Sequence, residues 1–209
     1  MKKLFFIVGL FLVNGSLFSQ QATIAVLEKG KQLQAFYLSQ HVETLWQKGM
    51  HVNWETGVAD DPNATKNIKT HCSSFVASVC KQRGIYILRP PKHSVSLLAN
   101  AQYSWLFTPV ATAEGWLQIA DNNFIAAQTL ANEGNVVIAV AKNPNPKKSG
   151  HIALVMPAEI SSSDVINKGP KLIQAGGINS SDVDFVTAFH KHYKVFPPSV
   201  EEVALFYHR

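Results

Sequence analysis

The sequence predicts an α+β fold, and three stretches carry that expectation. Thr70 to Ile85 reads as a helix opening on Cys72, with Phe75, Val76, Val79 and Cys80 at helical spacing and Gly84 as its stop. Val136 to Val140 and His151 to Met156 read as buried strands, joined as a hairpin across the proline-broken segment 143–150. Lys171-Leu172-Ile173-Gln174-Ala175 reads as a third strand, stopped by Gly176-Gly177. Helical patterns come first and strands follow.

The first residues read as an address. Lys2 and Lys3 precede the apolar run Leu4 to Val13, and Leu17-Phe18-Ser19 offers a cleavage region near Ser19 or Gln20. That run is shorter than the roughly 20 residues of a membrane span, so no stable span is expected. The expectation is a periplasmic or secreted protein with a leader at 1–20, an N-terminal helical extension at 21–50 and one main domain at 51–209. Removing Lys2 and Lys3 takes the formal charge from +5 to +3, and no basic block remains. Nucleic acid is therefore not an expected partner, whereas a mild positive excess suits an anionic polymer such as a cell wall. Two cysteines do not form a staple framework, so stability has to come from a core, for which 46% hydrophobic content is ample.

Between these landmarks the reading is coarser. Ala22 to Gly49 looks helical, with Leu27, Leu33, Phe36, Tyr37, Leu45 and Trp46 as its apolar positions. His51 to Thr70 is loop chemistry, including Asp60-Asp61-Pro62-Asn63 and Lys66-Asn67. In it Trp54 is either a cleft wall or ordinary core. Ser94 to Trp105 reads as a helix with Val95, Leu98 and Tyr103 inward, followed by the short apolar stretch Gly115 to Ala120. Asp121 is the expected cap of a helix from Asn122 to Ala131 burying Phe124, Ile125 and Leu130. Ser161 to Asp164 reads as a loop and Phe185 to Phe196 as a returning strand. Ser199-Val200-Glu201-Glu202 has capping-box spacing for a last short helix.

The chemistry centres on Cys72. A thiol at a helix start sits beside unpaired N–H groups and the positive end of the helix dipole, which favour thiolate. The alternative is inert packing, to which Cys80, in the middle of the apolar stripe, is assigned. Eight helical residues separate the two by roughly 12 Å, beyond the Cα span of at most about 7 Å for a disulfide, so both are expected free. A cysteine nucleophile needs a base, and the base needs an orienting partner. Of eight histidines His151 is best placed, at a strand start with Ala153 and Val155 on its own face, and Gln174 is a polar residue inside the next apolar strand. Cys72, His151 and Gln174 are thus the candidate triad. A zinc set of His71, Cys72, His93 and His151 is a weaker alternative, lacking Cys-x-x-Cys or His-Glu-x-x-His spacing. His190 and His192 alternate onto one face of the expected strand and offer a rival base or metal pair.

His71-Cys72-Ser73-Ser74-Phe75-Val76 resembles the Cys-Ser-Ser/Gly-hydrophobic-Val signature of NlpC-type cell-wall peptidases and the related CHAP amidohydrolases. Ser149-Gly150-His151-Ile152-Ala153 resembles their Gly-His-hydrophobic-Ala strand, and Lys171 to Gly176 occupies the strand that carries their third catalytic residue. The likeness runs from about Trp54 to Gly177. It departs at His71, where the family usually has an acidic residue, and at Gln174, where it usually has His, Asn or Glu. The resemblance implies a papain-like α+β core with the cysteine helix packed on an antiparallel sheet, and a hydrolase cutting amide bonds in peptidoglycan stem peptides. It further implies Ser73 as oxyanion support, Trp54 and His71 beside the substrate, and no metal or cofactor. A monomer is expected. The rival expectation is a non-catalytic wall-binding module on the same fold.

Overall fold

The structure, a computed structural model, describes residues 22–64 and 70–209. The expected leader and Lys66-Asn67 lie outside the described residues. In chain order the elements are β1 (Thr23–Ile24), α1 (Glu28–Leu38), β2 (His51–Val52), β3 (Ala59–Asp61), α2 (Cys72–Gln82), α3 (Leu98–Leu106), α4 (Pro109–Ala113) and β4 (Trp116–Gln118). There follow α5 (Phe124–Asn132), β5 (Val136–Ala141), β6 (His151–Val155), β7 (Ile160–Ser161), α6 (Ser162–Lys168), β8 (Lys171–Gln174), β9 (Ser180–Asp184), α7 (Phe185–Phe189) and β10 (Ala204–His208).

β-branched runs at β5 and β6 seed a six-stranded sheet of order β4-β10-β5-β6-β8-β9 in which every neighbouring pair is antiparallel. Both of its faces are covered, so the central strands are apolar throughout rather than alternating with polar residues. Val136, Ile138, Val140, Ile152, Leu154 and Ile173 point into one core cluster, which contains Cys72, Phe75, Val76 and Val79 of α2. Val137, Ala139, Ala141, Ala153, Val155 and Leu172 point into the other, with Ala127 of α5, Val165 of α6, and Phe185 and Phe189 of α7. The result is a mixed chain of helices and antiparallel sheet, in keeping with an α+β fold.

Helix α2 is buried all round from Cys72 to Cys80, which fits its lack of a charged face over those positions. Ser73, Ser74, Ala77 and Ser78 are small enough to let neighbours close on it, while Phe75, Val76 and Val79 each contribute about 1.5–3 kcal/mol by leaving water. Its end is a Schellman motif: Ile85 N–H donates to Cys80 O at 2.8 Å and Gly84 N–H to Lys81 O at 3.0 Å, with Gly84 at φ 72°. The 22–50 segment shares this core, since Leu33, Tyr37, Val42 and Trp46 belong to the cluster of α2, and β1 pairs with β7.

Several local expectations are corrected. The helix expected over Ala22 to Gly49 is confined to Glu28–Leu38, with Leu27 55% exposed, because the chain turns at His41 and Trp46, both at positive φ. Val95 lies outside α3 and is exposed, whereas Leu98 is buried. Asp121 sits in a 3-10 turn, and the cap of α5 is Asn123, whose side chain accepts from Ala126 N–H at 2.9 Å; Ile125 and Leu130 are only half-buried. Ser162 to Asp164 is the first turn of α6, capped by Ser161, whose hydroxyl accepts from Asp164 N–H at 3.1 Å. Phe185 to Phe196 is not a strand. Its first five residues are α7, which buries Phe185 and Phe189, a spacing of four that suits a helix. The capping-box pattern at Ser199 closes a single turn, after which β10 completes the sheet between β4 and β5.

Candidate active site

Cys72 opens α2 and His151 opens β6, and the packing of α2 on the sheet brings Cys72 against the backbone of β6 from the Ile152 and Leu154 face, whereas the His151 ring lies on the opposite face, with Phe189 and His192. Cys72 is 2% exposed, and its Sγ lies against the N–H of Ile152, the residue that follows His151. The N–H groups of Ser73 and of Cys72 itself and the Thr70 side chain also face the sulfur. Burial nevertheless raises the thiol above its ordinary 9.0, outweighing these donors. This corrects the expectation of a helix-start thiolate: the dipole is in place, but loss of water costs the anion more. Cys80, fully buried, is pushed by burial to about 12. Both cysteines are free.

His151 is 8% exposed and packs with Phe189 at a ring separation of 4.8 Å, on the face of β6 that carries Ala153 and Val155. Its Nε2–H donates to Gln174 Oε1 at 2.7 Å. The direction of that bond follows from the amide's other end, where Gln174 Nε2 donates to Ile178 O at 3.1 Å, so Oε1 is left to accept. The proton therefore sits on Nε2, and Nδ1 carries a lone pair. Among the described residues no hydrogen bond joins the imidazole to the Cys72 thiol. Burial lowers the His151 pKa to about 4 from an ordinary 6.5, with the Gln174 bond opposing and His192 adding to the fall. Thiol and imidazole are thus both neutral near pH 7.

A stability prediction follows from the same burial. A base whose folded pKa lies below its unfolded value stays neutral in the fold while the unfolded chain takes up a proton. Stability should fall as pH drops from about 6.5 to about 4, by on the order of 3 kcal/mol, and level off below that window. Chemical denaturation across pH 3.5–7 measures it, and a His151→Gln chain should lack one proton's share of the slope. An equal slope in both chains would contradict the assignment.

The remaining candidates fall around this pair unevenly. Ser73, the second residue of α2, presents its N–H to the thiol. His71 precedes α2, and its Nε2 is bonded to Met50 O at 2.7 Å, so the ring buttresses the chain before β2. Trp54 is placed by its contact with the far end of α2. It packs on the core beside the Lys81 ammonium, 5.4 Å from the ring centroid and nine residues beyond Cys72, about 13 Å along the axis of α2. His192 stacks on His151 at 5.7 Å and 15°, while His190 bonds to Thr187 O at 2.7 Å, so they do not share a strand face. Among the described residues no three of His, Cys, Asp or Glu gather to hold a metal ion. Nor is any described helix long and apolar enough to cross a membrane.

Three contributors were missed in the sequence. Phe189 walls the imidazole, Thr70 faces the thiol, and Asn179 ties down the loop after Gln174. Only Phe189 left a signal, in its four-residue spacing from Phe185. Comparison with known proteins gave no matching family model, no matching curated protein and no matching solved structure.

Proposed function

We propose that the protein is an exported cysteine hydrolase with a papain-like core that cleaves amide bonds in peptidoglycan stem peptides, working as a monomer. One observation carries the reading: Gln174 fixes the proton on His151 Nε2 and leaves Nδ1 as an acceptor at the start of β6, and the helix-start thiol of Cys72 meets the same strand one residue on, at Ile152 N–H, from its other face. The likeness of His71 to Val76 and of Gly150 to Ala153 to cell-wall peptidase motifs supplies the substrate class.

In the reaction the imidazole has to turn about the start of β6 to meet the thiol; Nδ1 then takes the thiol proton as Sγ attacks the amide carbonyl, and a C–S bond forms. Because both partners are neutral at rest, proton transfer accompanies attack and no ion pair needs to form beforehand. The carbonyl oxygen becomes an oxyanion, and the backbone N–H of Ser73 or Cys72 helps hold it. The imidazolium then gives its proton to the departing amine as the C–N bond breaks. A water, deprotonated by Nδ1, attacks the thioester and releases the acid and the free thiol. Nucleophile and base are side chains, so the chemistry calls on no metal or cofactor.

Digestion of purified peptidoglycan followed by fragment masses tests this. Each cut should yield a new amine and a new carboxyl group, heavier together by one water. A second reading, a wall-binding module without catalysis, is favoured by the deep burial of Cys72 and its neutral thiol. It gives sedimentation with peptidoglycan and unchanged fragment masses.

A further inference from the structure

The carboxamide of Asn179 is bonded at both ends. Its Nδ2 donates to Val42 O at 2.8 Å, Leu45 O at 2.7 Å and Trp46 O at 3.3 Å, and its Oδ1 accepts from Gly176 N–H at 3.1 Å. One side chain thus staples the loop after β8 to the turns after α1. That loop needs a staple, because its tip residue, Ile178, is 77% exposed and contributes little burial. Yet the loop governs the candidate base twice. The Ile178 carbonyl sets the rotation of the Gln174 amide, and the Gly176 backbone packs over the imidazole, a Cβ there lying 3.2 Å from His151 Cε1.

We infer that Asn179 is a positioning residue for His151: by clamping loop 176–179 to the 42–46 turn it keeps the Ile178 carbonyl on Gln174 Nε2, and so keeps the imidazole proton on Nε2. The 22–50 segment is then part of the site's support. Release of the clamp frees the Gln174 amide to rotate, and an amide NH2 turned toward His151 favours the opposite tautomer, with Nδ1 protonated and unable to accept from a thiol. The catalytic consequence rests on the proposed hydrolase; the tautomer does not.

Long-range ¹H–¹⁵N NMR of the ¹⁵N-histidine-labelled chain at pH 7 reads the tautomer directly. The unaltered chain should show His151 as a single Nε2–H species. Asn179→Ala and the less drastic Asn179→Ser should show averaging between the two tautomers, as should Gln174→Ala. Under the same clamp kcat falls by up to about 100-fold in the Asn179 variants with KM little changed. A single Nε2–H species in the folded variants would overturn the inference. A measurement on the unaltered chain guards against variants that do not fold: Gly176 N–H should be protected from hydrogen exchange, and free exchange there would equally overturn it. A tautomer shift in a chain that cuts no peptidoglycan upholds the clamp and removes the hydrolase reading, whereas hydrolysis with an unchanged tautomer removes the clamp alone.

Discussion

Cys72→Ala is expected to stop peptidoglycan cleavage, with kcat down by on the order of 10⁴-fold or more, while the fold persists. The activity loss is large because the other thiol cannot take over: Cys80 is fully buried within α2 with its thiol pushed to about 12. The stability cost is small, about 1 kcal/mol, since Ala is a good helix former at the first residue of α2 and fills most of the same volume. Fragment masses read the first effect and thermal unfolding the second. Cys80→Ala serves as the counterpart and should leave the fragments unchanged. Cleavage by the Cys72→Ala chain would remove Cys72 from the chemistry.

Gly150→Ala is expected to damage fold and site together. A Cβ at Gly150 would lie 2.0 Å from Ala141 O and 2.7 Å from Asn100 Oδ1. Neither can give way cheaply. Ala141 is register-paired with His151, and Asn100 anchors the long hairpin connection by accepting from Asn143 N–H at 3.0 Å and donating to Lys148 O at 2.8 Å. The added methyl must therefore push the start of β6, and His151 with it, away from β5. A loss of roughly 3 kcal/mol or more is expected, a fall in Tm of about 10 °C for a chain of this size. Gly177→Ala, where nothing lies within 4 Å of the added atom, should unfold with the unaltered chain. Equal Tm values for Gly150→Ala and Gly177→Ala would show that the close approach at β5 is not limiting. The glycine of the Gly-His pair thus has a steric reason to be there: only hydrogen fits against the Ala141 carbonyl.

What the sequence disclosed and what it hid differ in physical kind. Helix α2, with its start at Cys72 and its stop at Gly84, and strands β5, β6 and β8 were legible because local pattern and local terminators agree with the tertiary outcome. The His151–Gln174 pair was legible too, as polar residues at matching places in apolar strands. Strand β10 was not. Ala204 to His208 is short, and a capping-box pattern precedes it; pairing with β4 and β5 decides its conformation. The electrostatics of Cys72 were half legible, because the N–H donors follow from a helix start whereas the burial that outweighs them depends on the whole packed core. Asn179 gave no signal at all, since two of the carbonyls that hold it belong to residues 134 and 137 positions earlier in the chain.

Alkylation of the two cysteines by iodoacetamide, followed by mass spectrometry on the folded chain and on His151→Ala, tests the partnership of thiol and imidazole most directly. With His151 Nδ1 taking the proton, Cys72 should be labelled far faster than Cys80, and that rate should fall by roughly 10²-fold in His151→Ala while Cys80 stays slow in both. Labelling of Cys72 at the same rate with and without the imidazole would contradict the account.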